Sequence, residues 1–406
     1  MSKRTRSTSG SVRSPYNYLI IGAGRQGSAA AYDLARFGEA GCILLADQDP
    51  AVAAGAAERV NRLSGTVLAT PLVLDVRDGE AVRKVLRDID AVLSAVPYYF
   101  NLPLTRAAVT AGAHYCDLGG NTDIVQEQLA LDAEAKQAGA SIVPDCGMGP
   151  GLVNTLAAYV MQLLLEQESA EPCEVYVYDA GLPQDPLPPW NYQLTFHING
   201  LTNEMDGEAI FIRDGQIVRV PTLSEPEWLD FPGLGRLEAD VTSGGTSTAA
   251  WTFMGKLQRF ENKVLRYPGH FEWLRAFKTL GLFSETPIMV DGGSIVPRHV
   301  YHALLEPKIG GSEIHDICVM RAVGKGVRKG VPVSVTVDLV DRYDQATGFT
   351  GMERLTGWHA STMLAFQACG RVPAGGVPVE LAVPAVEFME ALRRRGIHFE
   401  VHSNTG

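Results

Sequence analysis

The sequence predicts an α/β fold whose first half is a doubly wound parallel sheet, followed by an α+β region and returning helices. Three observations predict it. Short apolar runs alternate with helical patterns through residue 143. A Gly-x-Gly-x-x-Gly turn joins the first run to the first helix. From about residue 150 the apolar period becomes two, and near residue 356 it becomes helical again.

The first strand pattern, Tyr18–Ile21, leads into Gly22-Ala23-Gly24-Arg25-Gln26-Gly27 and the Ala-rich helix pattern Arg25–Phe37. The second, Cys42–Ala46, ends at Asp47, twenty residues past Gly27. Strand, Gly turn, helix, strand and acid in this order form the dinucleotide-binding fingerprint of the Rossmann fold. Gly22 allows the tight turn, Gly24 lets the backbone approach a diphosphate, and Gly27 lets helix and strand pack closely. The helix start, with Ala23, Arg25 and Gln26, offers N–H groups and partial positive charge to phosphate. Asp47 suits a ribose diol and favours NAD, because its carboxylate would repel a 2′-phosphate; Arg25 leaves NADP open.

Helix patterns at Pro50–Leu63, Gly79–Asp88, Leu102–Ala111 and Thr122–Ala138 alternate with strand patterns at Thr66–Leu74, Ala91–Val96, His114–Cys116 and Ala140–Val143. Doubly wound sheets bind ligands beyond the carboxyl ends of their strands. Asp75 and Val76 are therefore expected beside an adenine, and Ala95, Val96 and Pro97 beside the nicotinamide ribose. Asp117, Leu118 and Gly119, and then Asp145–Gly149, follow the next two strands.

Pro150 opens a helix pattern over Gly151–Glu166. Glu174–Tyr178, Gln193–Ile198 and Val331–Asp341 read as strands. Ala209–Arg213 and Gln216–Val220 read as a hairpin around Asp214-Gly215. The region from Pro150 to Tyr343 is thus expected to be a mostly antiparallel sheet with helices on one side. Its Pro-dense loop, Gly181–Trp190, reads as a stiff connection or as the wall of a cleft. Helix patterns return at Thr356–Ala368 and Pro384–Arg395.

At 406 residues the chain can hold two or three domains. A net charge of −11 without a basic face argues against nucleic acid and anionic membranes as partners. No apolar run is expected to reach the ~18–20 residues of a membrane span. The six cysteines are scattered, with no CxxC pair or zinc spacing, so no metal is expected and a reducing cytoplasm is favoured. Residues 1–15 are Ser-, Thr- and Arg-rich and lack an apolar centre. They read as a disordered tail, with an organelle transit segment as the alternative.

Several stretches recur in one order: IIGAGRQG at Ile20–Gly27, SAVP at Ser94–Pro97, AGAHYCDLGG at Ala111–Gly120 and PDCGMGPGLVN at Pro144–Asn154. Then come GLPQ at Gly181–Gln184, TSGG at Thr242–Gly245, RYPGH at Arg266–His270 and TGFTGMERLTGW at Thr347–Trp358. Together they resemble the saccharopine dehydrogenase-like family, and within it the lysine 6-dehydrogenase branch. The resemblance implies a Rossmann domain of residues 16–149 plus 350–402 and an inserted substrate-binding and dimerisation domain of residues 150–349. It also implies a homodimer. The implied reaction is NAD-dependent oxidation of the ε-amine of L-lysine, releasing NADH and ammonia; the aldehyde product cyclises to piperideine-6-carboxylate. Saccharopine reductases carry Asn-Pro-Leu, Tyr-Lys and Ser-Trp after the GLP loop. The stretch Pro188–Phe196 lacks the Tyr-Lys and Ser-Trp pairs, which disfavours saccharopine or carboxynorspermidine as substrate.

The resemblance makes Asp117 the first catalytic candidate, near the nicotinamide and the amine; the bland alternative is a turn aspartate. Arg266 could hold a carboxylate through a forked pair of bonds, with Tyr267 beside it and His270 moving protons. The alternative is a structural strand–helix joint. Thr242 and its TSGG turn could donate hydrogen bonds at a helix start, or simply cap it. Tyr192, with Asn191, could line the cleft. Three readings follow: a lysine-oxidising dehydrogenase, a reductase acting on a secondary amine, or a protein that binds NAD without catalysis.

Overall fold

The computed structural model describes residues 15–311 and 313–405; the tail predicted over residues 1–15 lies outside them save for Pro15. The first half alternates β1 (Tyr16–Ile21), α1 (Arg25–Phe37), β2 (Ala40–Asp47), α2 (Pro50–Ser64), β3 (Ala69–Val73), α3 (Gly79–Val85), β4 (Ala91–Ser94), α4 (Asn101–Ala111), β5 (His114–Asp117), α5 (Thr122–Leu129), α6 (Asp132–Ala138) and β6 (Ser141–Val143). These strands form a parallel sheet in the order 6-5-4-1-2-3. Both faces of β1 are apolar because helices cover both: Tyr18 and Ile20 belong to one core cluster, Leu19 and Ile21 to another.

The predicted helix Thr122–Ala138 is broken into α5 and α6, although no Gly or Pro interrupts it. The cause is tertiary. A two-residue strand far along the chain, Gly375–Gly376, joins the sheet beside β6. A Cβ on Gly376 would lie 2.4 Å from the Leu129 carbonyl oxygen, and Asp132 at the start of α6 accepts the Gly376 N–H at 3.2 Å.

The second half begins with α7 (Val153–Glu166) and β7 (Glu171–Pro183). There follow α8 (Ile198–Glu204), β8 (Glu208–Arg213), β9 (Gln216–Pro221), β10 (Glu227–Phe231), β11 (Gly235–Val241), α9 (Ala249–Phe253), β12 (Arg259–Arg266) and α10 (His270–Thr279). A small ribbon, β13 (Ile288–Val290) and β14 (Gly293–Ile295), leads to α11 (Pro297–Ile309), β15 (Asp316–Arg328) and β16 (Val331–Arg342). The chain closes with α12 (Gly351–Ala368), β17 (Gly375–Gly376), α13 (Ala385–Arg394) and β18 (Phe399–Thr405). The second sheet runs 10-11-12-7-15-16-18, with β8 and β9 attached to β12. Its pairings are antiparallel except that of β7 with β12. Asp214 and Gly215 have φ of 51° and 71°, as the predicted hairpin turn requires.

Two expectations are corrected. Gln193–Ile198 is not a strand. Its apolar residues Leu194 and Ile198, with Tyr192 just before them, pack with α10 and α11 in a core cluster, and His197 caps α8 by accepting the Asn199 N–H. The alternation served loop packing. The expectation of no membrane-length run also fails: the helical stretch Met148–Glu166 is long and apolar enough. Its apolarity has another use, since Leu156, Val160 and Leu164 are wholly buried within the protein core.

The returning helix α12 is capped at its start and crosses closely over the first domain midway. Thr350 and Glu353 form a capping box, and the Asp316 carboxylate accepts the N–H groups of Gly351 and Met352 at 2.7 and 2.8 Å. Midway, a Cβ on Gly357 would come within 2.8 Å of the Ala29 Cβ on α1, so the glycine permits the close crossing.

Candidate active site

The glycine turn is built as the sequence predicts. Gly22 has φ 98°, and a Cβ there would strike the Ala95 carbonyl oxygen at 2.5 Å. A Cβ on Gly27 would lie 1.9 Å from the Gly22 carbonyl oxygen. At Gly24 the added Cβ would meet no protein atom within 4 Å, and it would fill open space over the start of α1, which no side chain caps. Nearby, Gln26 Oε1 is buried without a protein donor. An uncapped helix start and a cradle that a side chain would fill fit a dinucleotide's diphosphate.

Ala95 N–H donates to Ile21 and Gly22 N–H to Ala46, so the ends of β1, β2 and β4 meet here with Val96 and Pro97. Asp47 accepts the Ala23 N–H on one oxygen and the Asp49 N–H on the other, each at 3.0 Å. Half-buried, it keeps lone pairs for a diol. Arg25 is exposed, 3.8 Å from Glu353. Asp75 is turned elsewhere: Arg77 grips its carboxylate at 2.7 and 2.9 Å and holds it below the usual range. Asp78, not Asp75, caps α3. Val76 joins the apolar packing at this edge.

Asp117 is fully buried at the end of β5. One carboxylate oxygen accepts the N–H groups of Gly119 (2.9 Å) and Asp145 (3.1 Å); the other accepts the Gln128 amide at 2.6 Å. Burial raises its carboxyl above the ordinary value despite these bonds. In the structure it ties together the turns after β5 and β6, with Leu118 and Gly119 running between them.

Asp145 is the residue the sequence flagged by position without giving it a role. Its φ is 61°, it is 2% exposed, and it accepts the hydroxyl of Ser247 from the second domain. Burial, aided by Asp117 and Glu380, pushes its carboxyl up to about 8. Gly119 makes room for it: a Cβ there would lie 2.0 Å from Asp145 Oδ1. The adjoining turn is held by His359 of α12, whose Nδ1 accepts the Gly147 N–H at 3.0 Å while Nε2 faces Thr155 at 3.1 Å. Burial lowers His359 to about 3, so it is neutral.

The second sheet faces this turn. Register sets Asp179 of β7 beside Val264 of β12, and alternation brings Asn262 and Arg266 to the same face. Asn262 donates to Asp179 at 2.8 Å. A Cβ on Gly149 would lie 3.6 Å from Asp179 Oδ2, so the acid borders the turn after β6. Arg266 is 3% exposed; it donates to the Leu265 carbonyl, lies 3.5 Å from Glu204 and sits 5.1 Å from the Tyr192 ring. His270 stacks on Tyr192 at 4.6 Å, and its Nδ1 donates to the Trp190 carbonyl at 3.2 Å. Burial, then the Arg266 charge, lowers His270 to about 3. Burial raises Glu204 to about 7 against the pull of Arg266.

Arg266 Nε, His270 Nε2 and Asn262 Oδ1 are buried and lack protein partners. Buried polar atoms rarely go unpaired. The structure thus brings Tyr192, Arg266 and His270 together. It does not bring Tyr267, one residue further along the strand and on its opposite face, where its hydroxyl donates to the Pro183 carbonyl. Thr242 is buried, but its turn does not start a helix: α9 begins at Ala249, and Ser243 donates to the Asn203 carbonyl. Gly245 instead makes room for Asn262, whose Oδ1 would be 1.8 Å from a Cβ there. Asp179, Glu204 and Asn262 went unrecognised. The one signal was the acid closing the Val175-Tyr-Val-Tyr-Asp179 run.

Comparison with known proteins follows the same division. Residues 18–143 match the saccharopine dehydrogenase NADP binding domain and residues 147–397 the saccharopine dehydrogenase C-terminal domain. The chain is 23% identical over 244 residues to carboxynorspermidine synthase of Vibrio cholerae, covering 56% of each. It is 25% identical over 247 residues to an NADP(+)-dependent, L-glutamate-forming saccharopine dehydrogenase of Pyricularia oryzae, covering 58% of this chain and 52% of that one. These alignments span about half the length of the relatives. The fold matches apo saccharopine dehydrogenase (L-Glu forming) from Saccharomyces cerevisiae, with TM-score 0.77 at 19% identity over 96% of this chain and all of that one. With the glycine turn, the parallel sheet and the facing mixed sheet all in place, the chain belongs to the saccharopine dehydrogenase family.

Proposed function

We propose that the protein oxidises the ε-amine of L-lysine with NAD to an imine, which water hydrolyses to release ammonia and the aldehyde. One observation carries this reading. Among the described residues, the second-sheet site holds one guanidinium, Arg266, beside two acids, Asp179 and Glu204. That set suits one α-amino-acid head group, with the carboxylate on Arg266 and the ammonium on the acids. A saccharopine-like substrate carries three carboxylates and would call for more cations.

When bound, the dinucleotide supplies a two-electron acceptor for the C–H bond beside the amine. Gly22–Gly27 and the start of α1 hold its diphosphate, Asp47 its ribose diol, and Ala95–Pro97 flank the nicotinamide side. Asp47 is the reason for NAD in place of NADP. Arg266 anchors the substrate's far end through its unpaired Nε. His270, neutral, accepts an N–H through Nε2. Asp117 acts as a positioning residue, since its oxygens are already engaged.

The names of the curated relatives favour a second reading, in which a secondary amine is made or broken. One assay separates them: purified protein with NAD and L-lysine, following NADH absorbance and ammonia together. Equal release of both supports lysine deamination. Silence with lysine, and turnover of NADPH with glutamate plus an aldehyde, would replace it with the second reading.

A further inference from the structure

Asn262 is 1% exposed on β12, and its side-chain amide can point only one way. Its nitrogen donates to the Val177 carbonyl at 3.2 Å and to Asp179 at 2.8 Å. The amide carbonyl is therefore turned away from both, and its oxygen has no protein donor. That oxygen faces Gly245. A Cβ there would lie 1.8 Å from Asn262 Oδ1, so the glycine leaves a buried acceptor uncovered. Gly245 is outside the left-handed region, so space alone calls for glycine at this position.

The surroundings put this oxygen at the joint between the two domains. Two residues past Gly245, Ser247 donates to Asp145 in the turn after β6. Asp179, held by Asn262 through one oxygen, borders Gly149 of that same turn with the other. Contacts thus run from the cofactor-edge turn through Asp179, Asn262 and Gly245 back to Asp145. Arg266 stands four residues further along β12, about 13 Å between Cα atoms. An amino acid whose carboxylate is on Arg266 has room to lay its chain along the strand toward Asn262.

We infer that the Asn262 carbonyl accepts an N–H of the amine being oxidised, which makes Asn262 a catalytic residue that Gly245 keeps open. The inference rests on the amine-oxidising reading of this site. When hydride leaves the carbon beside the amine, with the dinucleotide as acceptor, the nitrogen lone pair becomes the second bond of C=N and the nitrogen becomes cationic. Its N–H bonds then donate more strongly, so a fixed carbonyl stabilises the transition state more than the bound amine. The Asp179 carboxylate, bonded to the other end of the amide, polarises that carbonyl in the same direction.

The test uses two variants of the intact protein. Asn262→Leu removes the acceptor, and Gly245→Ala covers it while leaving Asn262 in place. Both are measured with NAD and with L-lysine, plain and deuterated at C6, alongside titration of NAD and thermal melts. The expected result is a fall in kcat of about 10- to 100-fold in each, with KM for lysine and affinity for NAD little changed. The isotope effect on kcat should be at least that of wild type, because only the hydride step is slowed. Wild-type kcat in Gly245→Ala overturns the inference. So does a smaller isotope effect, or a loss of kcat matched by a loss of NAD affinity, which would make Asn262 structural. A wild type that is silent with lysine and oxidises a secondary amine overturns the lysine reading alone; the same variants, measured on that amine, still decide the role of Asn262.

Discussion

Ser247 of the second domain donates its hydroxyl to the carboxylate of Asp145, at the turn that follows the last strand of the first half. One short side chain thus links the mixed sheet's domain to the cofactor edge. The acid it meets is in a left-handed backbone conformation and is almost wholly enclosed.

Asp145 makes stability depend on pH in a definite direction. Its folded value, about 8, lies above the ordinary 3.8. Folding therefore favours the protonated form, and the stability linked to it is present below about pH 4 and lost as pH rises through about 8. Asparagine carries no charge to bury and can still accept the Ser247 hydroxyl. Asp145→Asn should gain in melting temperature over wild type between about pH 5 and pH 8.5, as read by thermal melts. A constant difference across that range would remove the buried charge as the cause.

Asp117→Asn should act on stability before chemistry. The new amide would face the Gln128 amide as donor against donor, and the expected loss is about 1–3 kcal/mol in denaturant unfolding. A variant of normal stability with turnover abolished would instead return Asp117 to direct catalysis.

Asp47→Arg should weaken NAD binding about tenfold or more and shift preference toward NADP. It also removes the acceptor of the Ala23 N–H, so the glycine turn loosens. Titration of both dinucleotides checks this; an unchanged preference ratio would place the ribose diol elsewhere.

Arg266→Lys should raise KM for lysine about tenfold with a smaller change in kcat, because an ammonium cannot reproduce the planar fork. Steady-state kinetics decide, and an equal fall in kcat with KM unmoved would take Arg266 out of head-group binding.

The pH profile separates Glu204 from His270. Glu204, raised to about 7, becomes an anion above neutrality and can then hold an ammonium, so kcat/KM should climb through pH 7 and flatten in Glu204→Gln. His270 is lowered to about 3 and adds no inflection between pH 5 and 9. A climb near pH 7 that persists in Glu204→Gln would assign it to another group.

The sequence by itself determined the parallel sheet and the glycine turn. Each of their parts is local: an apolar run, a residue with positive φ at Gly22, a helix start, and Asp47 at a strand's end. Local patterns are legible because backbone sterics and side-chain period act over a few residues. Only the tertiary structure decided the rest. It broke α5 from α6 through Gly376, turned Tyr267 away from Arg266 by strand alternation, and filled the space at Gly119 with Asp145. It joined Asp179, Glu204 and Asn262 to Arg266 and His270 across strands and loops distant in sequence. Such pairings rest on register and on burial among residues from separate elements, and no single stretch of sequence contains either.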